Sequence, residues 1–237
     1  GNCYRWIGIN KIKMYKVPAK TYAINENADY DATQSGAGAV NLTRTISADN
    51  INTVVLPFSM TAAEVSEYFG DEAVVYVVAS FENDIITLGT QQGIQPNQPV
   101  LLKASVAGSS YEIPGRTIVA TENPTTTTSG VQFVGVYTYG ATVPELSYIV
   151  SNNQFRKVAE GATAKLKSTR AYFTLPEEAT AKAVTFSFTD GDATGIVVVE
   201  DGELNILSGK IYDISGREVK TPTRGIYIIN GKKVVIK

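Results

Sequence analysis

The chain has 237 residues, 43% hydrophobic and 19% charged, enough to bury one large or two modest cores and too apolar for a globally disordered protein. Its formal net charge of −2 supplies no concentrated basic surface, which argues against a nucleic-acid binder. It contains no histidine, which excludes Ser-His-Asp and Cys-His catalysis and most zinc sites but leaves carboxylate-only chemistry such as glycoside hydrolysis open.

The first segment, 4–17, reads YRWIGINKIKMYKV; it predicts one or two strands that Pro18 ends. The single cysteine, Cys3, cannot close an intrachain disulfide and reads as a free thiol, since no apolar leader precedes it as a lipid anchor would require. No stretch approaches the roughly 20 apolar residues of a membrane-spanning helix, so no transmembrane segment is expected. No signal peptide opens the chain, as expected of a mature or truncated form.

Residues 25–38 are polar and rich in Gly, Asp and Asn, the composition of a loop or linker. The Gly-Ala-Gly run at 36–38 lacks the Lys and the strand-helix context of a phosphate loop. Residues 40–46 alternate apolar and polar as a half-buried strand does, whereas 52–58 form the continuous apolar run of a strand buried on both faces. One helix is predicted, over 62–69. Thr61 and Glu64 have the spacing of a capping box; Ala62, Val65 and Phe69 recur at helical spacing, and Gly70 supplies the stop.

From residue 73 onward the pattern is all-β. Strands are predicted over 73–81, 85–88, 99–104, 117–121, 131–139, 147–150, 154–158, 172–174 and 183–188, with turns at Asn83-Asp84, Pro96-Asn97, Pro114-Gly115, Ser129-Gly130 and Asn152-Asn153. The threonine tract 125–128 reads as an exposed loop. Residues 190–195 (DGDATG) read as a linker before a small C-terminal β-module over 196–237. In that module Ile206, Ile211, Ile214, Ile226, Ile228, Val234 and Ile236 are expected to pack in two facing layers.

Three constellations could carry chemistry. Asp190, Asp192 and Thr194 have the spacing of the first half of an EF-hand calcium loop. The bidentate Glu twelve residues along is replaced by the shorter Asp201, so the competing reading is a plain linker. Tyr137 and Tyr139 share a predicted strand face and could form a glycan-stacking platform, against the commoner fate of strand aromatics in cores. Glu82/Asp84 and Glu177/Glu178 are carboxylate pairs, but sequence neighbours do not converge across a cleft as a glycosidase requires. No catalytic residue and no cofactor is assigned.

The last stretch, 209–237, reads GKIYDISGREVKTPTRGIYIINGKKVVIK: two short strands flanking a Ser-Gly-Arg turn, then two more meeting at an Asn-Gly turn. It resembles the C-terminal module of secreted and surface proteins of the Bacteroidetes, which can act as a type IX sorting signal. The ordered segments 40–46, 52–58, 69–70, 95–103, 147–155 and 170–175 are similar to a β-rich module of large multidomain surface proteins of the same group. Together the two resemblances cover about 38–237. The segment 4–17 looks like the last strand of a galactose-binding type jelly-roll domain.

The resemblance implies an extracellular or outer-membrane surface location, and no catalytic residues come with it. The reading is therefore an all-β protein: residues 1–18 as terminal strands of a preceding domain, a main β-sandwich with one short helix over 19–189, and the small module after the linker. The function expected is a non-catalytic structural or adhesion module that contacts host or glycan material or neighbouring domains. The alternative is a carbohydrate-binding module accessory to a glycan-processing protein.

Overall fold

In a computed structural model of the protein, the described residues are 20–151, 153–179, 184–189, 196–200, 203–207, 211–217, 219, 225–229 and 232–236. In chain order the elements are β1 (Thr21–Asn25), β2 (Gly36–Ile46), β3 (Ile51–Val54), α1 (Ala62–Phe69), β4 (Val74–Glu82), β5 (Ile85–Gln91), β6 (Val100–Lys103) and β7 (Gly108–Ile118). There follow β8 (Thr125–Thr128), β9 (Val131–Val136), β10 (Ala141–Val143), β11 (Tyr148–Ser151), β12 (Gln154–Lys157), β13 (Ala164–Leu166) and β14 (Arg170–Thr174). After a 3-10 turn (Glu177–Ala179) come β15 (Thr185–Phe188), β16 (Ile196–Glu200), β17 (Glu203–Leu207), β18 (Ile211–Asp213), β19 (Gly225–Ile229) and β20 (Lys232–Ile236). The fold is all-β and sandwich-like, with α1 as its one α-helix among the described residues.

The sandwich has three layers. Its middle sheet has the order β15-β5-β4-β6-β3, and side chains leave it alternately in both directions. Val54, Val75, Val100 and Leu102 face one way, joining Tyr22, Val40, Leu42, Ile46, Tyr111 and Ile113 of the sheet β1-β2-β7, with Val65 and Phe69 of α1. Ile51, Tyr76, Leu88 and Leu101 face the other way, joining Phe133, Tyr148, Phe155 and Phe173 of the sheet β16-β17-β12-β11-β14-β9-β8. The stacked pairs Phe133–Phe173 at 4.0 Å and Phe155–Phe186 at 3.8 Å fill that second core. Burial on both faces explains the apolar run Val100-Leu101-Leu102 of β6, and β3 is buried along its whole length although it carries Asn52 and Thr53. A ribbon of β10 and β13 packs a third, small core on the outer face of the seven-stranded sheet, around Val143, Val158 and Leu166.

The helix occupies the predicted residues, and its capping box forms. The Glu64 N–H donates to Thr61 Oγ1 at 3.3 Å, and the Thr61 N–H donates to Glu64 Oε2 at 2.8 Å. Gly70 ends the helix at φ 100° and ψ 156°, an extended positive-φ conformation rather than the expected left-handed helical stop. A Cβ there would strike Ser105 Oγ and Val106.

Several elements differ from the expected ones. The segment expected as loop over 25–38 contains the end of β1 and the start of β2; β1 lies parallel to β2, so close that a Cβ on Gly38 would meet the Lys20 carbonyl. The threonine tract is strand β8, since threonine suits a pleated edge and the Ser129-Gly130 turn returns it onto β9. Pro114-Gly115 is no hairpin turn: it lies inside the long strand β7, at a register shift opposite β2 between Gly38 and Val40, with Gly115 at φ 61°. β9 ends at Val136, short of the tyrosines expected to continue it.

At the C-terminus β16 and β17 form a hairpin, and β17 pairs with β12. The strand pair expected to open the small module therefore extends the seven-stranded sheet of the main sandwich. A separate three-stranded antiparallel sheet follows, β18-β19-β20. Ile214, expected in its core, is 75% exposed at the tip of the turn after β18. Asp213 organises that turn by accepting the backbone N–H groups of Ser215 and Arg217 at 2.8 and 3.0 Å. The terminal strands expected over 4–17, Cys3 and the linker 190–195 lie outside the described residues. Among those described, no helix is long and apolar enough to cross a membrane.

Candidate functional site

Three loops converge beside the end of β9. They are the β1–β2 loop carrying Tyr30 and Ala32, the β7–β8 loop carrying Thr121 to Pro124, and the segment 137–141. Short hydrogen bonds fix them to one another. The Tyr30 N–H donates to the Tyr137 carbonyl at 2.9 Å, Thr121 N–H to the Ala32 carbonyl at 2.9 Å, and Gly135 N–H to the Pro124 carbonyl at 2.8 Å. They enclose a preformed cleft of about 310 Å³, at the low end of ligand-site volumes. Glu122 supplies the one charged group of its lining, with Thr121, Asn123 and Thr138 as further polar side chains.

The two candidate platform tyrosines do not form a shared exposed face. Tyr137 is 6% exposed; its ring meets Tyr30 at 5.2 Å with a 59° tilt, and its hydroxyl donates to Asn97 Oδ1 at 2.8 Å. Burial pushes its hydroxyl pKa far above the usual phenol value. Tyr139 is 51% exposed, its backbone N–H held by Asp29 Oδ1 at 2.7 Å. The reason is that β9 stops before them, so the strand alternation that would have aligned them does not apply. The calcium candidates Asp190, Asp192 and Thr194 lie outside the described residues. Glu82 and Asp84 flank the β4–β5 turn, where Asn83 and Asp84 have φ 51° and 62°. Glu177 lies on the 3-10 turn after β14, far along the chain.

Sequence reasoning did not find a second centre, a buried ionic cluster. Glu26, 2% exposed, sits at the start of the β1–β2 loop. Its Oε1 accepts from Thr45 Oγ1 at 2.8 Å and Lys167 Nζ at 3.3 Å; its Oε2 accepts from Arg44 Nη1 at 3.1 Å and Arg170 Nη2 at 2.9 Å. Arg44, 1% exposed on β2, also donates to the carbonyls of Thr45 and Thr53. The cluster thus ties β2, β3 and the β13–β14 connection, one from each layer. Around it Ser168 N–H donates to the Glu26 carbonyl at 3.0 Å, and Ala171 N–H donates to Thr53 Oγ1 at 3.2 Å.

Burial alone would raise the Glu26 carboxyl. The Thr45 hydroxyl and the cations Arg44, Arg170 and Lys167 outweigh it and hold the pKa down to about 2. Desolvation pulls Arg44 down to about 9, and the like charge of Arg170 adds to it; the guanidinium still stays charged at neutral pH. A legible signal was present: in 40–46 the inward positions are Val40, Leu42, Arg44 and Ile46, an arginine on an apolar face. An ion buried at such a position needs a partner.

Comparison of the chain with protein-family models, with curated proteins and with solved structures finds no match.

Proposed function

We propose that the chain is a non-catalytic structural or adhesive module of a secreted bacterial surface protein, displayed extracellularly or on the outer membrane. In that setting it contacts host or glycan material, or spaces neighbouring domains. The observation that carries this reading is the use made of Glu26. Both oxygens of this buried carboxylate are spent on four donors from the two outer layers, one of which, Arg44, also donates to Thr53 of the middle layer, so it is held ionised as a structural tie rather than poised near neutral pH as a general acid or base would be. The sorting-type tail supports export, by the resemblance of 209–237 described above.

The preformed cleft favours a second reading, a carbohydrate-binding module, because its polar lining of Thr121, Glu122, Asn123 and Thr138 can hydrogen-bond sugar hydroxyls. Screening the purified chain against immobilised glycans and extracellular-matrix proteins, with and without calcium, separates the two. Protein binding without glycan binding fits the adhesive module. Saturable binding of one glycan class, reduced by Glu122→Ala, replaces it with the second reading. Loss of glycan binding on calcium removal points to Asp190, Asp192 and Thr194.

A further inference from the structure

Among the described residues the ionic cluster is unbalanced. Arg44, Lys167 and Arg170 bring three positive charges to the single carboxylate of Glu26. The ion pairs of the described residues give none of the three a second carboxylate. Arg44 is sealed inside, and its Nε is buried without a hydrogen-bond partner. The surplus charge therefore reaches solvent through the other two, whose side chains are 43% (Lys167) and 27% (Arg170) exposed. Each makes a single contact to Glu26. A lysine has three donors and an arginine five, and among the described residues each places one of them on a protein acceptor.

Their placement is fixed rather than incidental. One buried carboxylate anchors both cationic heads, Lys167 at its Oε1 and Arg170 at its Oε2. Between them in sequence, Thr169 is fully buried at φ 62°, a left-handed conformation that a β-branched residue adopts only under constraint. Two backbone hydrogen bonds impose it: Thr169 N–H donates to the Val136 carbonyl at 2.8 Å, and Val55 N–H donates to the Thr169 carbonyl at 3.1 Å. The Thr169 hydroxyl is buried without a partner, so this conformation is not maintained for the sake of that side chain. It turns the chain between Lys167, in the β13–β14 connection, and Arg170, the first residue of β14.

We infer that Lys167 and Arg170 form a binding site for an oxyanion, a carboxylate or sulfate group, that neutralises the surplus positive charge of the cluster. A guanidinium and an ammonium would each form charge-assisted hydrogen bonds to such a group. The group could be carried by an acidic sugar or be a free inorganic anion; the chemistry at the site is the same. The inference is independent of the cleft described above.

The test is thermal unfolding and calorimetric titration of the full chain with sodium sulfate, sodium glucuronate and neutral glucose, each against sodium chloride at matched ionic strength. The variants are Lys167→Met and, as a control, Lys165→Met, an exposed lysine two residues away. The expected result is a saturable rise in Tm with sulfate or glucuronate and none with glucose. Lys165→Met should keep that rise, and Lys167→Met should weaken binding about tenfold while still folding, since Arg44 and Arg170 still hold Glu26. Glucuronate binding at or above the strength of sulfate assigns the site to an acidic sugar; binding of sulfate alone assigns it to an inorganic anion or sulfate ester. A non-saturating response, or one equal in wild type and Lys167→Met, overturns the inference.

Discussion

At the scale of single residues, Glu26 is the position on which most depends. Glu26→Gln leaves Arg44 buried without its anion and should cost about 3–5 kcal/mol at pH 7, read by urea denaturation. The pH dependence has a definite sign. The folded-state pKa of Glu26, about 2, lies below the usual 4.5. Its contribution is therefore complete above pH 4.5 and is lost as the pH falls toward 2, so wild type and Glu26→Gln should converge in stability over that interval. The tyrosines beside the cleft separate by burial. Tyr137→Phe removes the hydrogen bond to Asn97 and should cost about 1 kcal/mol. Tyr139→Ala, at an exposed position, should stay within about 0.5 kcal/mol. Equal losses for the two in a thermal melt would contradict the assignment of Tyr137 to the core.

At the scale of elements, α1 shows local signals that the fold obeys. Thr61→Ala opens the capping box and should cost about 1 kcal/mol. Gly70→Ala should cost more, about 1–3 kcal/mol, because it forces a side chain into positive φ against Ser105 and Val106. The ranking, measured by chemical denaturation, is the check. The helix was legible because capping and helical periodicity are properties of adjacent residues. The β11–β12 hairpin was legible for the same reason, pairing Tyr148 with Lys157 across its turn. Elements defined by distant partners were not. β1 is only five residues long, and its strand character depends on parallel pairing to β2. Pro114-Gly115 has the chemistry of a turn, yet β2 opposite it makes the pair a bulge in a continuous strand. The ionic cluster was illegible in the same way, since Glu26 and Arg170 lie 144 residues apart; only Arg44, inward on an apolar face, betrayed it.

At the scale of the whole molecule, the sandwich holds together through a middle sheet that shares cores with both others and through a charge cluster that touches all three. The C-terminal boundary has a direct consequence. Because β17 pairs with β12, a chain ending at residue 207 should retain the stability of the full chain. One ending at 195, where the sequence alone places the end of the linker, should lose the β16–β17 hairpin and unfold at lower denaturant. The sequence pattern could not show this, since β16 and β17 read as strands wherever they pair.

The measurement that tests the account most directly is native-state hydrogen exchange of wild type and Glu26→Gln at neutral pH. If the cluster ties the three layers, protection should fall together in β2, β3 and β14, by about 10²- to 10⁴-fold for a loss of about 3–5 kcal/mol. Loss confined to the β1–β2 loop, with β3 and β14 as protected as in wild type, would contradict the claim that this one carboxylate joins the layers.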